Sequence, residues 1–169
     1  FNTVVGRNAL RLNTSGYTNT AFGAVAMYSN TLGAQNVAIG ANSLYANTNG
    51  MNNTSVGTEN MTSNTTGSDN SALGKGSLYS NTTGYSNVAI GLEALQLNTT
   101  VEKLVAVGDQ ALYNNGVGAS LFYHGTYNTA VGSKALFANT LGHYNTAVGS
   151  EALYSNTEGG YNTAIGSLA

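Results

Sequence analysis

The side chains able to do chemistry are few in this chain and lie far apart. Seven acids, five bases, two histidines and eleven tyrosines are spread over 169 residues, and there is no cysteine. Without cysteine there is no thiolate nucleophile, no thiolate metal site and no disulfide framework. Two histidines, His124 and His143, cannot build a multi-histidine metal centre. The acids are too scattered to nominate the carboxylate pair that glycoside hydrolysis uses. No Ser-His-Asp spacing stands out, and the glycines recur at turn spacing, not as a phosphate loop after an isolated strand. The chain therefore reads as a non-enzyme with no cofactor and no metal. A net charge of −2 with dispersed bases leaves no footprint for nucleic acid. The uncharged stretches are studded with Asn, Thr and Gly, so none reads as a direct membrane insertion, and the first residues do not read as a signal peptide.

What remains is recognition chemistry, and two features carry it. One is a column of aromatic residues, Tyr28, Tyr45, Tyr79, Tyr113, Phe137 and Tyr154, each just after an apolar residue in a recurring motif. Evenly spaced rings on a rod can stack on the sugar faces of a cell-surface glycan. They can equally stack on one another or seal a subunit interface. A second, looser cluster (Tyr127, Tyr144 and Tyr161, with Tyr17 and Tyr85 one position earlier) allows the same choice. The other feature is a seven-residue excess near 114–127, containing Phe122, Tyr123 and His124. Protruding loops on rigid scaffolds often carry recognition; the alternative is a tolerated insertion whose Leu121 and Phe122 pack back on the rod. Just before it, Val101-Glu102-Lys103-Leu104 replaces the usual turn glycine and leading Asn.

These residues are placed by a repeat. Asn19-Thr-Ala-Phe-Gly23, Asn36-Val-Ala-Ile-Gly40, Asn53-Thr-Ser-Val-Gly57 and Asn87-Val-Ala-Ile-Gly91 recur every 17 residues, and the final glycines run from Gly6 to Gly166 in ten copies. The one irregular step, Gly108 to Gly132, holds the excess. Asn, Thr and Gly fill 67 of the 169 positions, a makeup that out of register would suit a disordered tract. In phase, Leu10, Leu44, Leu78, Leu95, Leu112, Leu136 and Leu153 keep step with the glycines. No stretch sustains helical periodicity, and N-T-x-G is turn chemistry, with Asn suited to left-handed backbone and Gly to positive φ. The repeat predicts an all-β parallel β-solenoid of about ten 17-residue coils, each strand-turn-strand-turn, in a single domain over 1–169. Stacking at about 4.8 Å per coil gives a rod roughly 50 Å long. Asn columns are expected to bond their amides from coil to coil, and the shortage of charge follows because identical charges in such a ladder repel.

Adjacent strand residues face opposite ways, yet both members of Ala38-Ile39, Ala89-Ile90 and Ala147-Val148 are apolar. Either a turn places both inward, or one member of each pair forms an outer apolar stripe longer than a monomer comfortably exposes. The second case predicts self-association as a homo-oligomer, with threefold packing natural for a fibre.

The segments Asn36-Val-Ala-Ile-Gly-Ala-Asn-Ser-Leu44, Asn87-Val-Ala-Ile-Gly-Leu-Glu-Ala-Leu95 and Asn145-Thr-Ala-Val-Gly-Ser-Glu-Ala-Leu153 resemble the repeats of YadA-like heads in trimeric autotransporter adhesins. The N-T-A-x-G form is also similar to repeats of bacteriophage tail fibres. The extra N-T-x-G turn in each repeat departs from the adhesin pattern. The resemblance implies a trimeric, left-handed parallel β-roll used for attachment. It points to an extracellular setting, on a bacterial surface or a virion fibre, with a host cell-surface glycan or protein as partner. The expected role is a structural fibre and adhesin module, the chain being a piece of a longer fibre. One alternative is a passive stalk or filament subunit whose receptor-binding tip lies elsewhere. Another is an ice-binding β-solenoid, suggested by Thr columns such as Thr14, Thr31, Thr48 and Thr65 but lacking a T-x-T face.

Overall fold

A computed structural model describes residues 1–169. It contains ten three-residue strands and no helix: β1 Thr3–Val5, β2 Thr20–Phe22, β3 Val37–Ile39, β4 Thr54–Val56, β5 Ser71–Leu73, β6 Val88–Ile90, β7 Val105–Val107, β8 Thr129–Val131, β9 Thr146–Val148 and β10 Thr163–Ile165. They form one parallel sheet in chain order, each strand paired only with its sequence neighbours. The register is one repeat, Ala21 beside Ala38 and Ala89 beside Ala106, and it holds across the longer step, where Ala106 meets Ala130. The protein is a β-solenoid of about ten turns.

Each strand alternates as its pleat demands. The central Ala38 or Ala89 is buried, while Ile39 and Ile90 on the outer face are exposed. The outer apolar stripe therefore exists, running through Val5, Phe22, Ile39, Leu73, Ile90, Val131, Val148 and Ile165.

The second apolar pair of each repeat is not a strand, and here the structure corrects the strand-turn-strand-turn reading. Each coil has one strand, followed by a chain of turns in which alternate residues take left-handed backbone. Val25 and Met27 have φ of 52° and 50°, and the same pattern recurs at Asn42 and Leu44 and at Glu93 and Leu95. The reversed φ cancels the pleat, so adjacent side chains can both turn inward: Ala26 and Met27 are fully buried, as are Ala94 and Leu95. Twenty-seven non-glycine residues lie in this region. Each costs about 1–2 kcal/mol against right-handed backbone, so the conformation persists only because neighbouring coils fix it. Val25 N–H donates to Arg7 C=O of the coil before (2.9 Å), and Met27 N–H to Ser43 C=O of the coil after (2.9 Å).

The interior is thin: one Ala or Ser from the strand, the Ala-Leu pair, and two columns of buried asparagines. In the turn column, Asn47 donates from Nδ2 to Asn30 Oδ1 (2.8 Å), and Asn64 to Asn47 (2.9 Å). The other Nδ2 proton goes to the glycine carbonyl three residues on, as from Asn64 to Gly67 (3.0 Å). In the leading column, Asn53 Oδ1 accepts from the backbone N–H of Asn70 (3.1 Å) and Asn53 Nδ2 donates to Gly67 C=O (2.8 Å). One turn carbonyl per coil thus ties both columns together.

That arrangement corrects the turn chemistry as well. The column asparagines are not left-handed, and the turn glycines of the regular coils do not have positive φ. Gly33 is required by closeness, because a Cβ there would overlap Asn30 Oδ1 and the carbonyl of Gly50 in the next coil. Gly23, after the strand, does need its positive φ of 143°, and a Cβ there would strike Gly40 C=O.

Candidate surface-recognition sites

The first aromatic column lies on the turn segment after the buried Leu or Met. One coil rise brings its members into register as stacked pairs: Tyr28 on Tyr45 (centroids 5.4 Å, 12° between planes), Tyr113 on Phe137 (5.3 Å, 23°) and Phe137 on Tyr154 (5.2 Å, 4°). Arg11 extends the first stack, its guanidinium 6.0 Å from the Tyr28 centroid. Tyr79 stands alone, because Thr62 and Gln96 occupy the equivalent positions in the flanking coils. Where the rings stack, each covers a face of its neighbour and offers mainly edges and hydroxyls to solvent.

The second cluster is as well ordered. Tyr127, Tyr144 and Tyr161 stack at 4.6 and 5.2 Å within 6° of parallel, and His143 packs edge-on against both Tyr144 and Tyr161. Lys103 caps the stack with its ammonium 4.9 Å from the Tyr127 centroid, and donates to the Tyr127 hydroxyl at 2.8 Å. It also pairs with Glu102 at 3.1 Å. The hydrogen bonds to Tyr127 and then Glu102 hold the ammonium pKa above the ordinary lysine range. Hydrogen bonding to the Glu102 carboxylate likewise raises the Tyr85 phenol.

The inserted loop is narrower than its sequence span. Asn115 Nδ2 donates to Gly125 C=O at 3.0 Å, the bond that Asn64 makes to Gly67, so Gly125 is the displaced turn glycine. Gly116 N–H reaches Thr140 C=O and Gly125 N–H reaches Leu141 C=O, which leaves residues 117–124 outside the ladder. Phe122 does not pack back; it is 93% exposed, while Leu121 is half-exposed. Phe122, Tyr123 and His124 meet edge-to-face, at 5.4 Å between the first two and 4.9 Å between the last two. Tyr123 also meets His143 at 5.1 Å, joining the loop to the second aromatic cluster. Among the sequence-derived candidates, the structure thus brings the three loop residues together and divides the first column into two stacks and a single ring.

The irregular segment 101–104 belongs to the same event. At a regular corner a Cβ is blocked by the next coil's turn carbonyl, as Gly84 is by Val101 C=O. Val101 is tolerated because the loop displaces the carbonyl that would block it. Its side chain fills the corner instead, where a Cβ at Gly116 would lie 2.6 Å from Val101 Cγ2. Both asparagine columns break here. Asn98 Oδ1 is buried without a partner, and Leu104 offers no acceptor to the Asn128 N–H, which makes no hydrogen bond. Between the turn at 100–102 and the loop lies a cleft of about 390 Å³, its walls including Thr100, Glu102, Ser120, Phe122, His124 and Thr126. Glu102 falls in the irregular segment that the sequence marks at 101–104, though not as a site residue, and Thr100 is added by the structure; the signal for both is the loss of the turn glycine at 101. No three His, Asp or Glu side chains come close enough together to hold a metal ion.

The chain matches no family model, no curated protein and no solved structure. The case for function therefore rests on the chain's own surfaces.

Proposed function

We propose that the chain is a structural fibre and adhesin module, extracellular or virion-borne, that assembles as a homotrimer and attaches to a cell-surface glycan or protein. One observation carries the reading: the outer strand face holds an exposed apolar side chain in almost every coil, from Val5 to Ile165, and no charged residue. Such a stripe, about ten coils or 48 Å long, is costly in water and is stabilised by burial against copies of itself. Three rods packed around a common axis cover it. They leave outward the aromatic columns and the loop, which arise from the other segments of each coil. Attachment then works by repeated weak contacts along the shaft, where avidity multiplies modest affinities.

Light scattering on the purified chain is expected to give three times the 17.3 kDa chain mass. Ile90→Lys, in mid-stripe and pointing outward, is expected to give monomers with an unchanged β-type circular dichroism spectrum. A monomeric wild type, or a trimer unaffected by Ile90→Lys, refutes the assembly. Fluorescently labelled trimers that fail to decorate any bacterial or eukaryotic cell in a surface-binding panel refute the attachment.

A further inference from the structure

We infer that the cleft between the loop and the turn at 100–102 is a binding site for a single uncharged pyranose. The inference rests on the attachment reading for the glycan that presents the sugar. The recess itself has the size of a small-ligand site, about 390 Å³, and its position in the fold is fixed. The loop is pinned at both ends by the ladder bonds of Gly116 and Gly125 and by Asn115 to Gly125 C=O, so it is held in place before any ligand arrives.

The walls have the two kinds of surface that a sugar ring presents. Phe122 stands at the rim, 93% exposed, its ring perpendicular to that of Tyr123. A bare aromatic face matches the C–H face of a pyranose. Around it are groups for hydroxyls. Ser120 and Thr100 have side-chain hydroxyls that make no hydrogen bond within the protein, and Thr126 Oγ1, which donates to Tyr123 C=O, keeps its lone pairs. Glu102 pairs with Lys103 and takes the Tyr85 phenol, and its remaining carboxylate lone pairs can accept from a hydroxyl. His124 Nδ1 accepts from the backbone N–H groups of Ser120 and Leu121 at 3.3 and 3.4 Å. Its Nε2 makes no hydrogen bond within the chain.

Charge selects the ligand class. Glu102 is paired with Lys103 at 3.1 Å, and no other Asp, Glu, Lys or Arg lines the recess. It therefore offers no ion partner to a sialic acid, a phosphate or an ammonium group. A neutral polyol with one apolar face fits what is left.

The test is saturation-transfer NMR on the intact chain with methyl β-D-glucopyranoside, methyl β-D-galactopyranoside and methyl N-acetyl-β-D-glucosaminide, followed by titration of whichever responds. Wild type is expected to transfer saturation to at least one. Phe122→Ala is expected to weaken binding about tenfold, and Leu32→Ala, at an exposed turn position outside the aromatic columns and the loop, to leave it unchanged. Because Phe122 is fully exposed, its truncation leaves the fold intact, which circular dichroism verifies. No transfer from any of the three sugars, or binding that Phe122→Ala leaves unchanged, overturns the proposal. Cell decoration without sugar binding leaves the attachment reading standing and removes this one. Sugar binding at the cleft without cell decoration does the reverse.

Discussion

The asparagine columns make a sharp test of what holds the coils together, and Asn64→Asp is the substitution to make. It changes no volume and only one atom's chemistry. Asn64 is fully buried, donates from Nδ2 to Asn47 Oδ1 and Gly67 C=O, and accepts at Oδ1 from Asn81 Nδ2. An introduced carboxylate keeps the last bond and sets its second oxygen against two acceptors. Burial and those acceptors both disfavour the charged form, so its folded-state pKa lies above the unfolded value. The sign follows: a raised acid pKa leaves the variant closest to wild type below the unfolded pKa and progressively worse as pH rises. In the protonated form the acid hydroxyl satisfies one of the two acceptors, so the residual cost near pH 3.5 is one hydrogen bond, about 1–1.5 kcal/mol. At pH 7 the group can at worst stay protonated, about three units above an ordinary Asp value, which adds about 4 kcal/mol. For a chain of this size the melting gap to wild type is then roughly 10–20 °C at pH 7, shrinking to roughly 2–6 °C near pH 3.5. Thermal melts of both proteins at the two pH values, followed by circular dichroism, read this directly. An equal gap at both values would refute the reasoning, since it would mean that the column's hydrogen-bond polarity does not matter.

Three further outcomes follow from particular contacts. Excising residues 117–123 leaves Asn115-Gly116-His124-Gly125 at the regular turn spacing, but restores a carbonyl against the Val101 side chain; the deletion alone is expected to cost about 2–3 kcal/mol in guanidinium denaturation, and adding Val101→Gly to recover it. Gly33→Ala, with its Cβ overlapping Asn30 Oδ1 and Gly50 C=O, is expected to cost about 3 kcal/mol or more, whereas Gly118→Ala, with nothing within 4 Å but φ of 77°, is expected to cost only the backbone strain, about 1–2 kcal/mol, in the same assay. Exposed Gln35 has φ of 59°, so Gln35→Gly is expected to be neutral or to stabilise by up to about 1 kcal/mol; a clear loss on chemical denaturation would show that the left-handed backbone there is not strained.

The sequence alone determined the period, the copy number and the parallel stacking, because a 17-residue phase kept over ten copies leaves one way to superpose like on like. It also determined which residues form ladders, since buried Asn above Asn satisfies its amide only in register. The outer stripe was one of two readings the sequence allowed, both residues inward at a turn or one outward at a strand; the structure takes the second at Ala38-Ile39 and the first at Ala26-Met27. Three further things needed the tertiary structure. The left-handed residues fall on Val25, Leu44 and Glu93 as readily as on Asn42; no local propensity signals them, because bonds to the coils on either side impose them. The turn glycines looked like a φ requirement and are a distance requirement, visible only once the next coil is in place. Finally, Val101 and the loop are one feature, because the displaced carbonyl at Gly125 makes room for a side chain that every regular corner excludes. The sparse chemical residues then converge at that corner, where His124 and Glu102, 22 positions apart in the chain, come to line one cleft.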